Sequence, residues 1–537
     1  MGESRQPGKT ALATATSEAM VVDTLGGRMR VRWDGQAQAT PHGQLVFFAE
    51  FLATAGVFDR WVEDCPLSYS SPNGSAKADV LGTLMLGILA GGKRYAHLAR
   101  VHGDAVASRA LGLSGLVSED SVRRALTAID AGAAERWMRQ ALMNSVRDAL
   151  LRPWVLDLDA TIKPLYGRQE GAQRGYNPHK PGRPSHVLHS FVVGNLRLVL
   201  DAVLAPGKQH TSRHGLAALE RLLDELGERS PALVRGDCGY GNEDVITLCE
   251  QRHLPYLLRL RQTANVKRLI ERLFGREDWT RATALTQGWQ AIEDELQLSG
   301  WRRARRVVVL RRRLRGEVAL ERKSADGQLL LTLSGEEVQD EARLWEYTVL
   351  VTNATYDLDA IGQLYRDRCD CENSFDELKN QWGWSGFTTQ DLHRSQIMAR
   401  AVGLIYNWWS WYVRAANPQA RREALTSRPL LLAAVGRAAH SGGQTTLYLT
   451  PMHADVGLIK SMIANVRAAI QHVRAAAEQL TQLDRWREML RYICARIVPP
   501  NTLPIPPPAP APPRRLTVTC GLQGQRMPVR QIATPTP

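Results

Sequence analysis

The sequence predicts an α/β protein with a strand-rich core flanked by helical regions. Residues 43 to 150 repeat apolar side chains at helical spacing, most clearly in "QLVFFAEFLATAGVFDRWV". At Pro153 the pattern changes to strands. Three strands then precede an alternation of helices and strands, an order typical of an α/β core.

Composition divides the chain further, because 537 residues are too many for one hydrophobic core. Small polar residues predict a disordered start, a Pro-rich run predicts an extended tail, and tryptophans with a basic strand-like run predict a β-rich insertion. The predicted segments are a disordered N-terminus (1–40), a helical N-terminal domain for DNA binding or dimerisation (41–150), the first part of the core (151–261), the insertion (262–345), the second part of the core (346–415), a helical C-terminal region (416–498) and the Pro-rich tail (499–537).

The charge balance favours a polyanionic partner. Lysine and arginine number 68 against 54 acidic residues, a net charge of +14, and nucleic acid is the commonest partner for such an excess. The apolar runs are too short and interrupted to span a bilayer, so we expect no membrane contact and a cytoplasmic location. Seven cysteines without a CxxC pair indicate neither a disulfide framework nor a zinc site.

The stretch "LYRDRCDCENSFDELKNQW", residues 364 to 382, predicts one helix with an apolar face and a charged edge. On a helical projection, Tyr365, Arg368, Glu372 and Lys379 fall within about 60° of one another. One interpretation is a half-buried ladder of salt bridges. A carboxylate flanked by cations and a phenol could instead be functional, and the rest of the chain must decide.

Three carboxylates occupy positions typical of a metal site. Asp159 lies in the first core strand, Asp237 ends a later strand, and Glu372 lies on the helix after the insertion. Asp157 shares a strand face with Asp159 and could be the first ligand instead. Carboxylates without His or Cys suit Mg²⁺ or Mn²⁺, and two such ions about 3.5 to 4 Å apart support phosphodiester chemistry.

These motifs resemble the DDE transposases of bacterial insertion sequences, in the branch marked by a Tyr-x2-Arg-x3-Glu-x6-Lys signature. Tyr365, Arg368, Glu372 and Lys379 match that spacing in full. "DAT" (159–161) and "RGDCGYG" (235–241) resemble the segments around the first two acids. The resemblance covers about residues 43 to 415 and implies a ribonuclease-H-like catalytic core interrupted by the insertion.

The resemblance implies a role for each matched residue. Asp159, Asp237 and Glu372 would be the catalytic acids and would hold two divalent metal ions, Mg²⁺ or Mn²⁺. The partner would be double-stranded DNA, both element ends and target, with a homodimer holding two ends at the bacterial nucleoid. The predicted DNA-binding residues are Tyr365, Arg368 and Lys379 of the signature, Lys180 and Arg183 of the basic loop, and Arg302, Arg303, Arg305 and Arg306 of the insertion.

Several alternatives stay open at this point. The chain could be a stand-alone metal-dependent nuclease, or a DNA-binding protein descended from a transposase without catalysis. The arginine run of the insertion could be a solvated face. Ser118 is a good N-cap for a helix that exposes Arg123 and Arg124, which predicts either a helix-turn-helix-like DNA contact or an ordinary bundle with a basic surface.

Overall fold

The structure is a computed structural model that describes residues 19–35, 37–69, 73–150, 153–175, 177, 180–208, 211–313, 318–323, 329–333, 345–384, 386–450 and 452–497. The predicted Pro-rich tail and the first 18 residues of the predicted disordered N-terminus lie outside these ranges. The predicted α/β class is confirmed, because a large mixed sheet is surrounded by helices.

The N-terminal segment contains strands where disorder was predicted. β1 (Met20–Thr24) and β2 (Gly27–Val31) form an antiparallel hairpin whose residues are all exposed, and β3 (Ala39–Thr40) follows. The six helices of the next region confirm the helical pattern. They are α1 (Leu45–Ala55), α2 (Val57–Glu63), α3 (Lys77–Leu89), α4 (Ala105–Ala110), α5 (Glu119–Ala128) and α6 (Ala131–Val146), with a 3-10 turn at Tyr95–Arg100 between α3 and α4.

In the core, strands come first and then helices and strands alternate, much as the sequence predicts. A hairpin turning at residues 194 to 197 joins the second and third long strands. The elements are β4 (Val155–Pro164), β5 (Gln173–Arg174), β6 (Pro184–Val193), β7 (Leu198–Pro206), α7 (Thr211–Leu226), β8 (Leu233–Gly236), α8 (Glu243–Gln251), β9 (Tyr256–Arg259) and α9 (Ala264–Phe274).

The predicted insertion is β-rich after α9, but part of it extends the core sheet. Its strands are β10 (Trp289–Leu296), β11 (Arg305–Arg313), β12 (Val318–Lys323) and β13 (Leu329–Leu333), and β14 (Trp345–Thr352) comes next. β12 and β13 pair with each other as a two-stranded sheet. β10 and β11 instead join β14, which pairs with β9, because the apolar run Val307–Leu310 is buried between its neighbours.

The central sheet runs in the order β10-β11-β14-β9-β8-β4-β6, with β7 and the short β5 both pairing with β6. β4, β8 and β9 are parallel to one another, and the remaining neighbours are antiparallel. The carboxyl end of β8 therefore lies beside the middle of β4. That placement decides where Asp237 and Asp159 meet.

Helices complete the chain, together with one hairpin that the helical prediction for residues 416 to 498 missed. The elements are α10 (Leu358–Arg366), α11 (Cys369–Asn380), α12 (Leu392–Ala416), α13 (Ala424–Leu431), β15 (Val435–Ser441), β16 (Gln444–Thr450), α14 (Val456–Ala475) and α15 (Gln482–Arg496). β15 pairs with β3, so the hairpin is anchored to the N-terminal region.

α12 is the central helix of the hydrophobic core. Trp408, Trp409 and Trp411 are buried on it, as the sequence predicts, and an all-round apolar helix belongs in an interior. It packs on α6, β7 and α14, and so joins the N-terminal helices, the sheet and the C-terminal helices around one core. Across the ranges that the structure covers, no helix is long and apolar enough to cross a membrane.

Candidate active site

The first core strand carries its two aspartates in different environments. Asp157 is fully buried and forms a bidentate ion pair with Arg235 of β8, with Nε to Oδ1 and Nη2 to Oδ2 both 2.7 Å. Arg235 also donates to the carbonyl of Leu364 at the end of α10. Asp157 is thus already neutralised by a protein cation. Asp159, the first choice from the sequence, therefore stays the predicted first ligand.

Asp159 and Asp237 approach each other across the β4–β8 pair. Asp237 follows the last residue of β8, and its Oδ1 accepts a bond of 3.0 Å from the backbone N–H of Gly239. Burial raises the pKa of Asp237, and the nearby charge of Asp159 raises it further. A cation placed between these acids would lower the pKa of Asp237 and would offset the repulsion between the two carboxylates.

Tyr240 and His189 form a hydrogen-bonded pair next to the backbone of Asp159. The hydroxyl of Tyr240 lies 3.2 Å from the carbonyl oxygen of Asp159 and 3.1 Å from Nδ1 of His189. Both side chains are fully buried. Burial lowers the pKa of His189 to about 4, with a smaller contribution from His214, so the ring is neutral at pH 7. The sequence motif around Asp237 contains Tyr240, but nothing local pointed to His189.

The predicted single helix over residues 364 to 382 is two helices. α10 ends at Arg366 and α11 begins at Cys369, and Asp367 and Arg368 between them keep right-handed helical dihedral angles. The chain therefore bends without uncoiling. Glu372 and Lys379 still share one side of a helix, because both lie on α11. Tyr365 lies on α10, so the helical projection no longer relates it to them. The bend directs Arg368 towards the core, where a buried acid can neutralise it.

Arg368 bridges two of the three predicted acids. Its Nη2 lies 3.1 Å from Asp159 Oδ1, and its Nη1 lies 2.8 Å from Glu372 Oε1. Only 5% of its side chain is exposed, whereas a residue that grips DNA would reach the surface. Burial alone would lower the pKa of Arg368, but the charges of Asp159 and Asp157 raise it. The salt-bridge interpretation therefore describes Arg368 correctly in this state.

Glu372 stands apart from the two aspartates. Its side chain is 60% exposed and is held on the outer side of Arg368. Among the residues that the structure describes, no three His, Cys, Asp or Glu side chains are close enough to hold a metal ion. The donor set nevertheless fits a hard divalent cation, because all three acids offer oxygen and Arg368 already supplies positive charge between them.

The helix that carries Glu372 is anchored at its other end. Glu377 is buried and accepts hydrogen bonds from Trp382 Nε1 at 3.2 Å and from the backbone N–H of Ala424 at 2.9 Å. Arg421 forms an ion pair with the same carboxylate. These contacts hold the second half of α11 against the start of α13.

The arginines of β11 and the turn before it divide into two groups. Arg302 and Arg303 are exposed, with side-chain exposures of 76% and 65%. Arg305 is buried and binds Glu243 and Glu250, with Nε 2.9 Å from Glu250 Oε1. The expectation that Arg305 contacts DNA is therefore corrected, because its place within the sheet turns it inward. Arg306 is half-buried and pairs with Glu293 at 2.7 Å.

The basic loop after β4 presents cations around an aromatic ring. Tyr166 is 67% exposed, and Lys180 Nζ and the Arg183 guanidinium lie 4.9 and 4.8 Å from its ring centroid. Lys180 and Arg183 are thus on the surface, and their contact with DNA stays a prediction. In the insertion, Trp279 and Trp301 are buried, whereas Trp289 is half-buried beside the Arg312 guanidinium at 4.9 Å.

A family described as "Transposase DDE domain group 1" matches residues 25–473 of this sequence. The chain belongs to this family. No curated protein matches the chain. One similar solved structure is the piggyBac transposase synaptic complex with hairpin DNA, at 11% identity and a TM-score of 0.34, with 87% of this chain and 88% of that chain covered.

For a DDE-family chain, the structure adds residues that the sequence motifs did not single out. Lys163 lies on β4, four residues after Asp159, and its Nζ donates 2.7 Å to the carbonyl of Gly386. Burial lowers the pKa of Lys163 to about 8. Arg235 lies inside the "RGDCGYG" motif. It is the register partner of Asp157 in the parallel β4–β8 pair, and this register cannot be predicted from the sequence of either strand alone.

Proposed function

We propose that this DDE-family protein is a transposase that binds the terminal inverted repeats of a bacterial insertion sequence and catalyses strand cleavage and strand transfer. The observation that carries the proposal is that Asp237, directly after β8, interacts with the charge of Asp159 on the neighbouring strand β4, and that Arg368 pairs with both Asp159 and Glu372. The strand order β7-β6-β4-β8-β9, three antiparallel strands and then two parallel ones, supports the proposed ribonuclease-H-like core.

Asp159, Asp237 and Glu372 would hold two divalent ions, Mg²⁺ or Mn²⁺. When bound, such ions supply an activated water or 3′-hydroxyl and stabilise the leaving oxygen of a phosphodiester. Asp159 and Asp237 are already placed by the sheet, and Tyr240 fixes the backbone of Asp159. Glu372 must turn inward, which requires Arg368 to release one of its two carboxylates.

The remaining cations would bind the phosphates of double-stranded DNA. Lys379 lies in the last turn of the helix that carries Glu372, and Tyr365 is half-buried at the end of α10. Exposed cations of the basic loop and of the turn before β11 extend this surface: Lys180, Arg183, Arg302 and Arg303. Two copies of the chain would be needed to hold two element ends, and we propose a homodimer in the DNA complex.

The test is metal-dependent nicking of a duplex that carries the element's end, with the full chain. We expect Asp159→Asn, Asp237→Asn and Glu372→Gln to abolish nicking and to leave binding of the duplex largely intact. Asp376→Asn is the matched control, because Asp376 is an exposed acid one turn further along α11. Normal nicking by Glu372→Gln, or equal loss in Asp376→Asn, would contradict the assignment of the third acid.

A further inference from the structure

A second group of cations lies mainly on the N-terminal helices. It is distinct from the three predicted acids, Asp159, Asp237 and Glu372, which we call the acidic site. α5 exposes one face, formed by Asp120, Arg124, Thr127 and Ala128. This face lines a shallow pocket together with Arg123 and with Arg394 of α12. The small side chains at positions 127 and 128 leave room for a ligand to approach the helix closely.

The arginines of this pocket are oriented by contacts of their own. The Arg123 guanidinium lies 5.1 Å from the ring centroid of Tyr95 and 3.4 Å from Glu119. Arg394 Nη1 donates to Thr127 Oγ1 at 2.9 Å. Because these side chains are already ordered, binding an anion would cost little additional rotamer entropy.

The 3-10 turn next to α5 and the two residues before it add three exposed cations, Lys93, Arg94 and Arg100. Their closeness is visible at His97: slight burial lowers the pKa of this ring, and the charges of Arg100, Arg94 and Lys93 lower it further. We name the whole set the basic rim. It consists of Lys93, Arg94, Arg100, Arg123, Arg124 and Arg394.

The basic rim is joined to the acidic site by buried contacts. The backbone N–H of Phe387, in the segment after α11, donates to the carbonyl of Lys93 at 2.9 Å, and its ring meets Tyr95 edge-on at 5.6 Å. Lys163, on the same strand as Asp159, bonds Gly386 in that segment. The position of the rim relative to the acids is therefore fixed by packed residues.

We propose that the basic rim binds the phosphate backbone of duplex DNA whose scissile phosphate lies in the acidic site. The inference rests on the proposed function and extends the DNA footprint onto α5 and the 3-10 turn. The six cations of the rim outnumber the acids close to them, which include Glu119, Asp120 and Asp391, and this excess of positive charge suits a polyanion. Arg94 and Arg124 are exposed and would reach phosphates, so the binding would be independent of base sequence.

The experiment compares two duplexes that contain the same cleavage site. The short duplex covers the acidic site alone, and the long duplex continues on both sides. The variant is Arg94→Gln with Arg124→Gln, two exposed positions whose replacement leaves the packed arginines in place. The matched control is Lys460→Gln with Arg467→Gln, two exposed cations on α14.

We expect the rim variant to bind the long duplex about tenfold more weakly at low salt, and its salt dependence to flatten by about 0.9 for each phosphate that is no longer neutralised. Binding and nicking of the short duplex should match the unmodified protein. Equal affinity of the rim variant and the α14 control for the long duplex would overturn the proposal, as would equal losses of affinity on the short and long duplexes.

Failure of the proposed function has a different signature. A protein without transposase activity would not nick the end duplex, whatever happens at the rim. A long duplex of random sequence then tests the rim alone, because backbone contacts do not need the element's end. Weaker binding of that duplex by the rim variant supports the rim, and unchanged binding overturns it.

Discussion

Arg235 binds both carboxylate oxygens of Asp157 at 2.7 Å, inside the sheet and beyond the reach of solvent. A Cβ atom at Gly194 would lie 2.1 Å from Asp157 Oδ2, so this turn must approach the pair without a side chain. The pair therefore forms part of the frame of the site. It secures β4 to β8, whereas Asp159, two residues further on, pairs with Arg368.

Replacing Asp157 with Asn should destabilise the protein by about 3 to 5 kcal/mol, because it leaves the buried charge of Arg235 without its partner. The measurement is the free energy of unfolding in urea. Asp23→Asn serves as a control, since it breaks an exposed ion pair with Arg28 and should leave stability almost unchanged. Similar small effects of both substitutions would mean that the Asp157–Arg235 pair is not a structural anchor.

Arg368→Gln should make the thermal stability of the protein more dependent on divalent cations. Without the guanidinium, Asp159 and Asp237 repel each other with less internal counter-charge, and added Mg²⁺ would take its place. We expect a larger Mg²⁺-induced rise in Tm for Arg368→Gln than for the unmodified protein. Arg366→Gln, a half-buried arginine one position before the bend, should show the ordinary rise. Identical rises in all three proteins would argue against competition between Arg368 and a metal ion.

Substitutions in the arginine run should separate binding from folding. Arg302→Gln with Arg303→Gln should weaken binding to duplex DNA and flatten its salt dependence by about 0.9 for each phosphate left without a cation, with an unchanged Tm. Arg305→Gln should lower the Tm instead, because Glu243 and Glu250 lose their shared partner. Binding titrations at several salt concentrations and thermal unfolding decide the matter. A normal salt dependence for the double variant would show that these residues form a solvated face.

Stability should fall between pH 6.5 and pH 4 because of His189. Its folded-state pKa, about 4, is below the value of 6.5 for an exposed histidine, so the unfolded chain takes up a proton first as the pH falls. The stabilisation is complete above pH 6.5 and is lost on acidification, with a total of roughly 3 kcal/mol.

His189→Gln should remove this part of the pH dependence, as followed by urea unfolding at pH 7 and pH 4.5. His472, which is exposed and pairs with Glu488, provides the control substitution His472→Gln. An equally steep loss of stability in His189→Gln and in the unmodified protein would show that other groups cause it.

Local patterns in the sequence predicted much of the core. The change of pattern at Pro153 was enough to predict the strands of the core, and helical spacing predicted the N-terminal helices. Asp237 follows β8 directly, so the end of that strand could be inferred without any knowledge of its neighbours. These features depend on contacts between residues close in sequence.

The features that the sequence did not reveal depend on pairing between distant segments. The basic run at Arg305 looks exposed in isolation, but β11 lies between β10 and β14, and two glutamates of α8 meet Arg305 there. The bend at Arg368 also has no local cause such as Gly or Pro. Arg368 pairs there with Asp159, an acid more than 200 positions earlier in the chain.

The first and last helices of the core depend on each other. The Phe51 ring on α1 meets the Trp486 ring on α15 at 6.2 Å and nearly perpendicular, and Phe48 packs against Trp409 and Tyr412 of α12. During synthesis, Phe48 and Phe51 therefore stay uncovered until partners more than 350 residues later have been made. A chain truncated before α12 would leave these rings exposed and should aggregate.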